Sequence, residues 1–547
     1  MPAKSMEAIP DSAQPGRIEQ EFKTLRIPKS NAKAFIPGQQ DLIAPEGANE
    51  ITFQLNGIQF LGVSVFDQAF LGKQFSAFIN KNISLADLYT IANELTVYYR
   101  NQGYILSQAL VPAQKIDDDG IATIQVVEGF ISDINLSGVS EKQAKRIAKI
   151  TQKIQKSQPL RADILERYLL ILNDFGGVNF SATLAPSQTQ GAADITLNIT
   201  EKNYDASFDI ENRGTEIVGP ERLTAQVSIN NIFNAFDANN LTVVSTGNSE
   251  LNYISLRNDS PIGNNGWHLV TAVTTSRSQP GGELEILEIE SRGNTFSIGA
   301  EYPFIRSRTK NLSLRSHLDI YNNESTRLSS AENSESLSTE DRIRSIRLGA
   351  VFDNIDSFRG INLIDVEFSQ GLDILNASEL GDSQLSRELG DPKYRKLNLY
   401  AARLQSIAPH WSLLFSLNGQ YSNDNLLSAE QFGVGGKNFG GAYDSSEIIG
   451  DTGIAGRIEL RFSKSLPDYW FRNIVAYSFL DGGEIKRNAP SVGQEDRESL
   501  SSYGFGIRYR TGKYISGSLE YALPNNRDIA SEGNDDGRLF FNLKATF

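Results

Sequence analysis

Period-two alternation of apolar and polar residues runs through the last two thirds of the chain, from about residue 203 to residue 547. In the segment GIAGRIELRF the charged side chains Arg457, Glu459 and Arg461 share one face, and apolar side chains occupy the other. Such alternation predicts β-strands that have one wet face and one apolar face. The apolar faces must then be covered, either by a second sheet or by lipid around a closed barrel.

Sixteen candidate strands follow from this alternation, and their spacing favours a transmembrane barrel. The 345 residues from 203 to 547 give about 21 residues for each strand with its connection, which suits strands of roughly 9–11 residues. The long connections are polar and charged, and a soluble sandwich remains the alternative. The predicted strands begin near Tyr204, Arg222, Asn239, Leu251, His268, Arg292, Asn311, Arg344, Ile361, Arg395, Trp411, Gly453, Trp470, Tyr503, Ile515 and Gly537.

Residues 51–130 and 131–202 each combine helix and strand patterns, which predicts two small α+β domains built on one repeated order. In the first domain Ser84 and Asp87 are spaced for a capping box in front of a helix that ends at Gly103. The apolar stripe predicted for that helix consists of Leu88, Ile91, Leu95 and Tyr98. The segment YILSQALVPAQ that follows is predicted to be a strand.

Residues 1–50 are mostly polar and contain one short amphipathic helix, in which Ile18, Phe22 and Leu25 recur at helical spacing. A helix this short is marginal in water, so we expect it to pack against another part of the protein. The first sixteen residues lack the apolar core of a signal peptide. The chain is then either cytosolic or separated from its leader, and the barrel prediction favours the second.

Composition excludes several classes of function. The chain has no cysteine, so disulfides and thiolate metal sites are absent, and its net charge of −14 argues against a duplex nucleic-acid partner. No apolar run approaches the roughly 18–20 residues of a transmembrane helix. His268, His317 and His410 are scattered without metal-ligand spacing, and no phosphate-binding loop is present. We therefore predict no cofactor and no enzyme activity.

Four segments carry a resemblance to a known family. GYILSQALVPAQKIDDDGIATIQVVEGFISDINLSG resembles the first POTRA domain of the two-partner secretion transporters, the TpsB family of ShlB/FhaC/HecB type. LERYLLILNDFGGVNFSATLAPSQTQGAADITLNIT is similar to their second POTRA domain, and ENRGTEIVGPERLTAQVSINNIFNAFDAN to the entry into their barrel. FLDGGEI resembles a strand motif of the wider superfamily that includes the Bam-type insertases. Together the resemblance covers essentially the whole chain.

The resemblance implies a mainly β protein of the bacterial outer membrane. It places a plug helix and linker in residues 1–50, POTRA domains in residues 51–130 and 131–202, and a 16-stranded barrel in residues 203–547. The POTRA domains hang into the periplasm and capture a large β-helical exoprotein, which the barrel exports without nucleotide hydrolysis. An insertase and a diffusion porin remain alternatives, and two POTRA domains with a plug helix favour secretion.

The expected partners are the exoprotein, outer-membrane lipid and lipopolysaccharide, with the transporter itself a monomer. An unfolded client can add a strand at the edge of a POTRA sheet beside a helix. The residues predicted for this client-binding edge are Tyr104, Leu106, Gln108 and Leu110. The alternative is that the apolar residues of this domain only form its core.

The glycine-rich stretch FGVGGKNFGGAYD is, by the resemblance, the tip of the sixth extracellular loop, folded back into the barrel lumen. A hairpin packed against an inner wall needs residues that adopt φ > 0 and have no Cβ, and glycine supplies both. A mobile external loop is the alternative. The residues predicted for the loop in the lumen are Gly435, Gly436, Lys437, Phe439, Gly440, Gly441, Tyr443 and Asp444.

The family usually has Val-Arg-Gly-Phe or Val-Arg-Gly-Tyr at this tip, and its arginine pairs with an inward aspartate. Here Gly441 stands at the place of that arginine, while Asp481 of FLDGGEI remains as the acidic partner. A desolvated carboxylate is costly without a cation, so we predict that Arg461, or failing that Lys437, pairs with Asp481. The residues predicted for the facing inner wall are Arg457, Glu459, Arg461 and Asp481.

Overall fold

The computed structural model describes residues 17–22, 42–233, 235–328, 337–466, 470–491 and 493–547. The chain divides into two compact units, one of residues 32–201 and one of residues 202–547 together with the first 31 residues. In the amino-terminal segment one helical turn is described, α1 (Ile18–Glu21). Leu25, predicted for the plug helix, lies outside the described residues.

The unit before residue 202 contains three small β-sheets with helices packed on them. The sheet orders are β1–β3, β2–β5–β4 and β6–β8–β7. Its helices are α2 (Gln68–Gln74), α3 (Leu85–Asn101), α4 (Glu141–Gln155) and α5 (Ala162–Asn173). Its strands are β1 (Thr52–Leu55), β2 (Gly57–Leu61), β3 (Lys81–Ser84), β4 (Gln108–Leu110), β5 (Ile121–Val127), β6 (Phe130–Ser137), β7 (Val178–Pro186) and β8 (Ala192–Glu201).

Helix α3 forms where the sequence predicts it. The capping box is present, because the Ser84 hydroxyl accepts from the backbone N–H of Asp87 and the Asp87 carboxylate accepts from that of Ser84. The predicted stripe is wrong at its last member: the fully buried aromatic is Tyr99, and Tyr98 is only partly buried. Tyr99 is one position further around the helix, where its hydroxyl reaches Glu128 at 2.9 Å.

Core packing on α3 leads to a first prediction. Leu95 is fully buried, so Leu95→Ala should lower the free energy of unfolding of a soluble fragment of residues 42–201 by about 2–5 kcal/mol. Val97 lies on the same helix but is 46% exposed, and Val97→Ala should change it by less than about 0.5 kcal/mol. Urea unfolding measures both variants, and equal losses would show that α3 does not pack as described.

The predicted strand YILSQALVPAQ is much shorter in the structure, where β4 covers only Gln108–Leu110. Tyr104 and Leu106 precede it in a turn, closed by a bond from the Ser107 N–H to the Tyr104 carbonyl at 3.1 Å. Pro112 follows the strand and has no N–H to continue the ladder. β4 is nevertheless an edge strand, paired only with β5 in its sheet.

The second unit is a closed antiparallel barrel of sixteen strands, which confirms the predicted fold class. The strands pair in chain order, and the first strand closes the barrel against the last. The barrel strands are β9 (Tyr204–Glu211), β10 (Arg222–Asn230), β11 (Ala238–Thr246), β12 (Leu251–Ile262), β13 (Trp267–Ser278), β14 (Glu290–Arg306), β15 (Lys310–Arg327), β16 (Leu337–Ile355), β17 (Gly360–Gly371), β18 (Arg395–Ala408), β19 (Trp411–Tyr421), β22 (Thr452–Ser465), β23 (Phe471–Lys486), β24 (Arg497–Thr511), β25 (Ile515–Pro524) and β26 (Arg538–Thr546).

Each barrel strand shows two different faces. On β22, for example, Ile458 is 46% exposed on the outer surface, whereas its neighbours Arg457 and Glu459 are buried on the lumen side. Exposed apolar side chains on the outer surface suit contact with lipid, and the polar side chains suit a wet lumen. Among the described residues, no helix has both the length and the apolar character needed to cross a membrane.

Candidate functional site in the barrel lumen

The longest described connection between barrel strands, residues 422–451, joins β19 to β22 and is called the lumen loop below. Two short strands, β20 (Phe432–Val434) and β21 (Ile448–Gly450), pair within it as an antiparallel hairpin. Phe439 and Tyr443 lie between these strands and are buried, packed with Tyr477, Phe479 and Phe540 from the inner wall. The loop therefore packs against the inner wall of the barrel, and the rings of Phe439 and Tyr443 are not exposed outside it.

Glycines shape the tip of the loop, residues 435–444, for two different reasons. Gly435 and Gly440 have φ of 125° and 83°, in the region that favours glycine, and a Cβ at Gly435 would lie 2.1 Å from the Asp444 carbonyl. Gly436 also has positive φ. The prediction of positive φ is wrong for Gly441, where the constraint is space: a Cβ would lie 3.0 Å from the Phe479 ring.

Asp481 holds the loop tip through its carboxylate. The backbone N–H of Gly441 donates to both carboxylate oxygens, at 3.1 and 3.2 Å, and the Ser502 hydroxyl donates to one of them. Arg457 supplies the cation, with Nη1 2.9 Å from the carboxylate and the guanidinium 3.8 Å above the Phe479 ring. Because the Asp481 side chain is fully buried, this pairing balances a charge that water does not reach.

The predicted pairing of Asp481 with Arg461 or Lys437 is wrong. In the β22–β23 ladder Arg457 stands directly opposite Asp481, whereas Arg461 stands opposite Tyr477, four residues further along. Arg461 instead pairs with Glu459 at 2.6 Å, and Lys437 lies 3.6 Å from Glu211. The inward face was predictable from the alternation, but the register that selects one arginine from that face was not.

Arg457 lies, with Phe479, beside the space that a side chain at position 441 would need. A Cβ on Gly441 would approach its Nη1 to 3.4 Å. The wall therefore supplies the guanidinium where the loop lacks one. Arg457 is held in turn by Glu459 at 3.1 Å, and Arg508 pairs with the same Glu459 carboxylate at 2.6 Å.

Further ion pairs anchor the rest of the loop. At its beginning, the buried carboxylate of Glu430 pairs with Arg347 and Lys396, each at 2.7 Å. At its tip, Asp444 pairs with Arg538 of β26 at 2.8 Å. These contacts reach three strands, β16, β18 and β26, so the loop is fixed along its length and not only at Asp481.

The described amino-terminal segment, residues 17–22, contacts the lumen loop. Arg17 is buried and donates to the carbonyls of Ser428 and Gln431 at 3.1 and 2.6 Å, and to the Ser446 hydroxyl at 2.9 Å. Gly433 leaves room for the guanidinium, because a Cβ there would lie 2.4 Å from Arg17 Nη2.

The same segment also contacts the barrel wall. Glu21 pairs with Arg222 of β10, and the ring of Phe22 lies 4.7 Å from that of Tyr253 on β12. Phe22 thus packs against the wall. Ile18 lies on α1. The segment therefore contacts both the inner wall and the lumen loop.

Two site residues had no signal that sequence reasoning could use. Arg17 is a charged residue next to the amphipathic segment, where a solvated side chain is the ordinary expectation. Arg213 stands in the segment at the entry to the barrel, yet it donates to the Gly441 carbonyl at 3.2 Å, 228 residues away in the chain. No spacing rule links two such positions, because their contact depends on barrel closure.

Comparison with known families identifies the family of this chain. The family described as haemolysin secretion/activation protein ShlB/FhaC/HecB matches residues 191–509, which is more than half of the chain, and the ShlB-type POTRA domain matches residues 53–129. The chain belongs to the ShlB/FhaC/HecB family. It is an outer-membrane translocator of two-partner secretion, and its POTRA domains lie in the periplasm. The match favours the transporter over the insertase and the porin.

Relatives support this membership over nearly the full length. The heme/hemopexin transporter protein HuxB of Haemophilus influenzae (strain 86-028NP) is 25% identical, over 97% of this chain and 94% of its own. The outer membrane transporter CdiB of Dickeya dadantii is 21% identical over 83% and 79%. Among solved structures, CdiB from Escherichia coli has the same fold, with a TM-score of 0.73 and 19% identity over 92% of each chain.

One carboxyl group in the described lumen loop has fewer hydrogen-bond partners than its burial would require. Glu447 is 3% exposed. One oxygen accepts from the Ala530 N–H at 2.6 Å, and the other has no hydrogen-bond partner among the described residues. Burial, and to a smaller extent the nearby Asp444 carboxylate, raises the pKa of Glu447 from 4.5 to about 7, while Arg527 acts in the opposite direction.

Docking of the loop should therefore weaken as pH rises. Below pH 4.5 Glu447 is protonated whether the loop is docked or free, and docking is strongest. Through the window from pH 4.5 to about pH 7 the docked loop loses about 3 kcal/mol relative to the free loop. A single cysteine at Ala442, which is fully buried in the docked loop, reports release through its labelling by maleimide.

The labelling rate, divided by that of a free thiol at each pH, should rise roughly 100-fold between pH 5 and pH 8. Glu447→Gln should flatten this profile. Glu484→Gln, at a half-exposed carboxylate on β23, is the control and should keep it. A Glu447→Gln protein with an unchanged profile would assign the pH dependence to another group.

Proposed function

We propose that this transporter captures an unfolded exoprotein with residues 42–201 and passes it outward once the amino-terminal segment and the lumen loop leave the barrel. The observation that carries the proposal is the Arg17 contact, because it joins two separate obstructions of one passage. The chain would act as a monomer among outer-membrane lipid and lipopolysaccharide, in keeping with a barrel closed by sixteen strands of one chain.

The proposed transport uses no catalysis and no nucleotide. Progressive folding of the exoprotein outside the cell is a sufficient source of free energy in principle, because a folded client cannot return through the barrel. Release of the loop breaks buried ion pairs at Glu430, Asp444 and Asp481, so the arriving client must offset their loss. This cost explains how a channel wide enough for a polypeptide stays closed at rest.

Capture is proposed at the β4 edge beside α3. The outward N–H of Ala109 already donates to the Thr96 hydroxyl at 2.9 Å, so an added strand does not find this donor free. The client contact there would then rely more on the partly buried side chains of Gln108 and Leu110. Tyr104 and Leu106 would contribute from the preceding turn.

Secretion of the TpsA-type exoprotein that pairs with this transporter tests the function. Deletion of residues 42–201 should abolish secretion while the barrel still inserts into the membrane. In a binding assay with the unfolded amino-terminal part of the exoprotein, Leu110→Asp should weaken binding to the soluble fragment at least tenfold. Ile121→Asp changes an exposed apolar residue at the far end of β5 and serves as control. Secretion that persists without residues 42–201 would refute capture by this unit.

A further inference from the structure

The pairing of β9 with β26, called the seam below, closes the barrel through its shortest ladder. Five residue pairs join the two strands, from Ser207↔Thr546 to Glu211↔Asn542. The other fifteen described ladders of the barrel have between eight and eighteen pairs. The first and last strands therefore share fewer ladder pairs than any other two neighbouring strands of the described barrel.

At the extracellular end of the seam a side chain supplements the main chain, because the Asn212 N–H still donates to the Phe541 carbonyl at 3.4 Å. The Asn212 amide donates to the Leu539 carbonyl at 2.8 Å and accepts from the Phe541 N–H at 2.7 Å. An asparagine amide has the donor and acceptor of a peptide group, so it can continue the pattern for one residue. Beyond this point no further pair of the seam ladder is described.

Arg213 crosses the seam on the lumen side. Its guanidinium lies 3.9 Å from the centre of the Phe540 ring on β26 and pairs with Glu520 on β25. Both charged side chains are 8% exposed, so the contact is shielded from water. Arg538, on β26, lies 5.1 Å from the centre of the same ring.

The tip of the lumen loop contacts both arginines. The Gly441 carbonyl accepts from Arg213 at 3.2 Å, and the next carbonyl, of Ala442, accepts from Arg538 at 3.3 Å. Asp444 adds its ion pair to Arg538. Two consecutive peptide groups of one loop thus bridge the residue two positions after β9 to the first residue of β26.

We propose that the loop tip is a clasp across the seam, with Arg213 and Arg538 as its positioning residues. While the loop is docked, its backbone adds hydrogen bonds where the ladder is shortest. When the loop leaves, the extracellular end of the seam keeps the five pairs, the bond from the Asn212 N–H to the Phe541 carbonyl, the Asn212 amide and the Arg213 contacts to Glu520 and Phe540. Strand separation at that end then becomes easier. This inference concerns barrel closure in the resting protein and does not depend on the transport of any client.

Hydrogen–deuterium exchange of the full chain in lipid nanodiscs tests the clasp. Arg213→Gln with Arg538→Gln should speed exchange of the amides in residues 207–212 and 539–543 at least tenfold. Arg213→Lys should restore part of the protection, because it keeps the charge opposite Glu520. Arg315→Gln is the matched control, since Arg315 is an inward arginine paired with Asp365 at 2.7 Å and far from the seam in strand order. It should leave seam exchange unchanged.

A second variant separates the loop from the arginines. Tyr443 is 1% exposed and its hydroxyl donates to the carbonyls of Ser501 and Arg527, so Tyr443→Ala undocks the tip without altering Arg213 or Arg538. Under the proposal this variant also speeds seam exchange at least tenfold, and labelling of a cysteine at Ala442 verifies that the tip has left. Slow seam exchange with a released tip would overturn the clasp and leave the proposed secretion function untouched.

Discussion

Replacing Arg457 by alanine is expected to release the lumen loop, because Asp481 would stay buried and lose its cation. Breaking a buried pair by removing one partner costs about 3–5 kcal/mol, which corresponds to at least a 100-fold rise in the labelling rate of a cysteine at Ala442. Arg461→Ala is the matched control: the residue lies on the same face of β22, but it pairs with Glu459 and not with Asp481. It should change labelling less than tenfold.

A double variant tests whether Arg457 acts in place of a loop arginine. Gly441 does not have positive φ, and the atoms nearest to a Cβ there belong to Phe479 and Arg457, so an arginine side chain could enter the space that Arg457 vacates. Gly441→Arg alone should destabilise docking through crowding and like charge. Combined with Arg457→Ser, Gly441→Arg should return the labelling rate of the cysteine at Ala442 to within about tenfold of the parent protein. If the two substitutions acted independently, their effects would add and the rate would not return. If the double variant loses loop docking by the sum of the two single effects, an arginine at position 441 cannot take the place of Arg457.

Deleting residues 1–30 is expected to raise single-channel conductance in planar bilayers severalfold. The described part of this segment packs against Arg222 and Tyr253 on the wall and against the lumen loop, so its removal opens space in the passage. Arg17→Ala should give an intermediate result, with more frequent transitions to a high-conductance state, because three buried hydrogen bonds to the loop are lost.

Lys437→Ala is the control for that experiment. Lys437 is also a cation in the lumen, but its side chain is 64% exposed and its only described ion pair, to Glu211, is 3.6 Å long. The conductance of the Lys437→Ala protein should match that of the unmodified protein. If the deletion of residues 1–30 also leaves conductance unchanged, the segment does not obstruct the channel.

Most of the barrel could be predicted from the sequence, because the alternation of apolar and polar residues sets both the number of strands and their faces. The larger errors in strand starts fall at β16 and β24, predicted near Arg344 and Tyr503 but beginning at Leu337 and Arg497. The extra residues are mostly polar on both faces. They extend the strands beyond the part that contacts lipid, so the alternation that marks a membrane strand is missing there.

The contacts of the lumen site could not be predicted in the same way. Alternation places Arg457, Glu459 and Arg461 on one face, but only the β22–β23 register selects Arg457 as the neighbour of Asp481. The register follows from turns and barrel closure, which have no local sequence signal. Arg17 and Arg213 are further cases, since each meets the lumen loop across more than 200 residues of chain.

Many of the contacts that hold the lumen loop are made to its main chain. Arg17 donates to the carbonyls of Ser428 and Gln431, and the Asp481 carboxylate accepts from the Gly441 N–H. Two further arginines donate to the carbonyls of residues 441 and 442. Main-chain carbonyls are present whatever the side chain, so substitutions at exposed loop side chains keep these hydrogen bonds during evolutionary drift. In a saturation mutagenesis screen, intolerance should therefore concentrate at the glycines that set the path of the backbone, at the buried anchors and at the arginines of the wall.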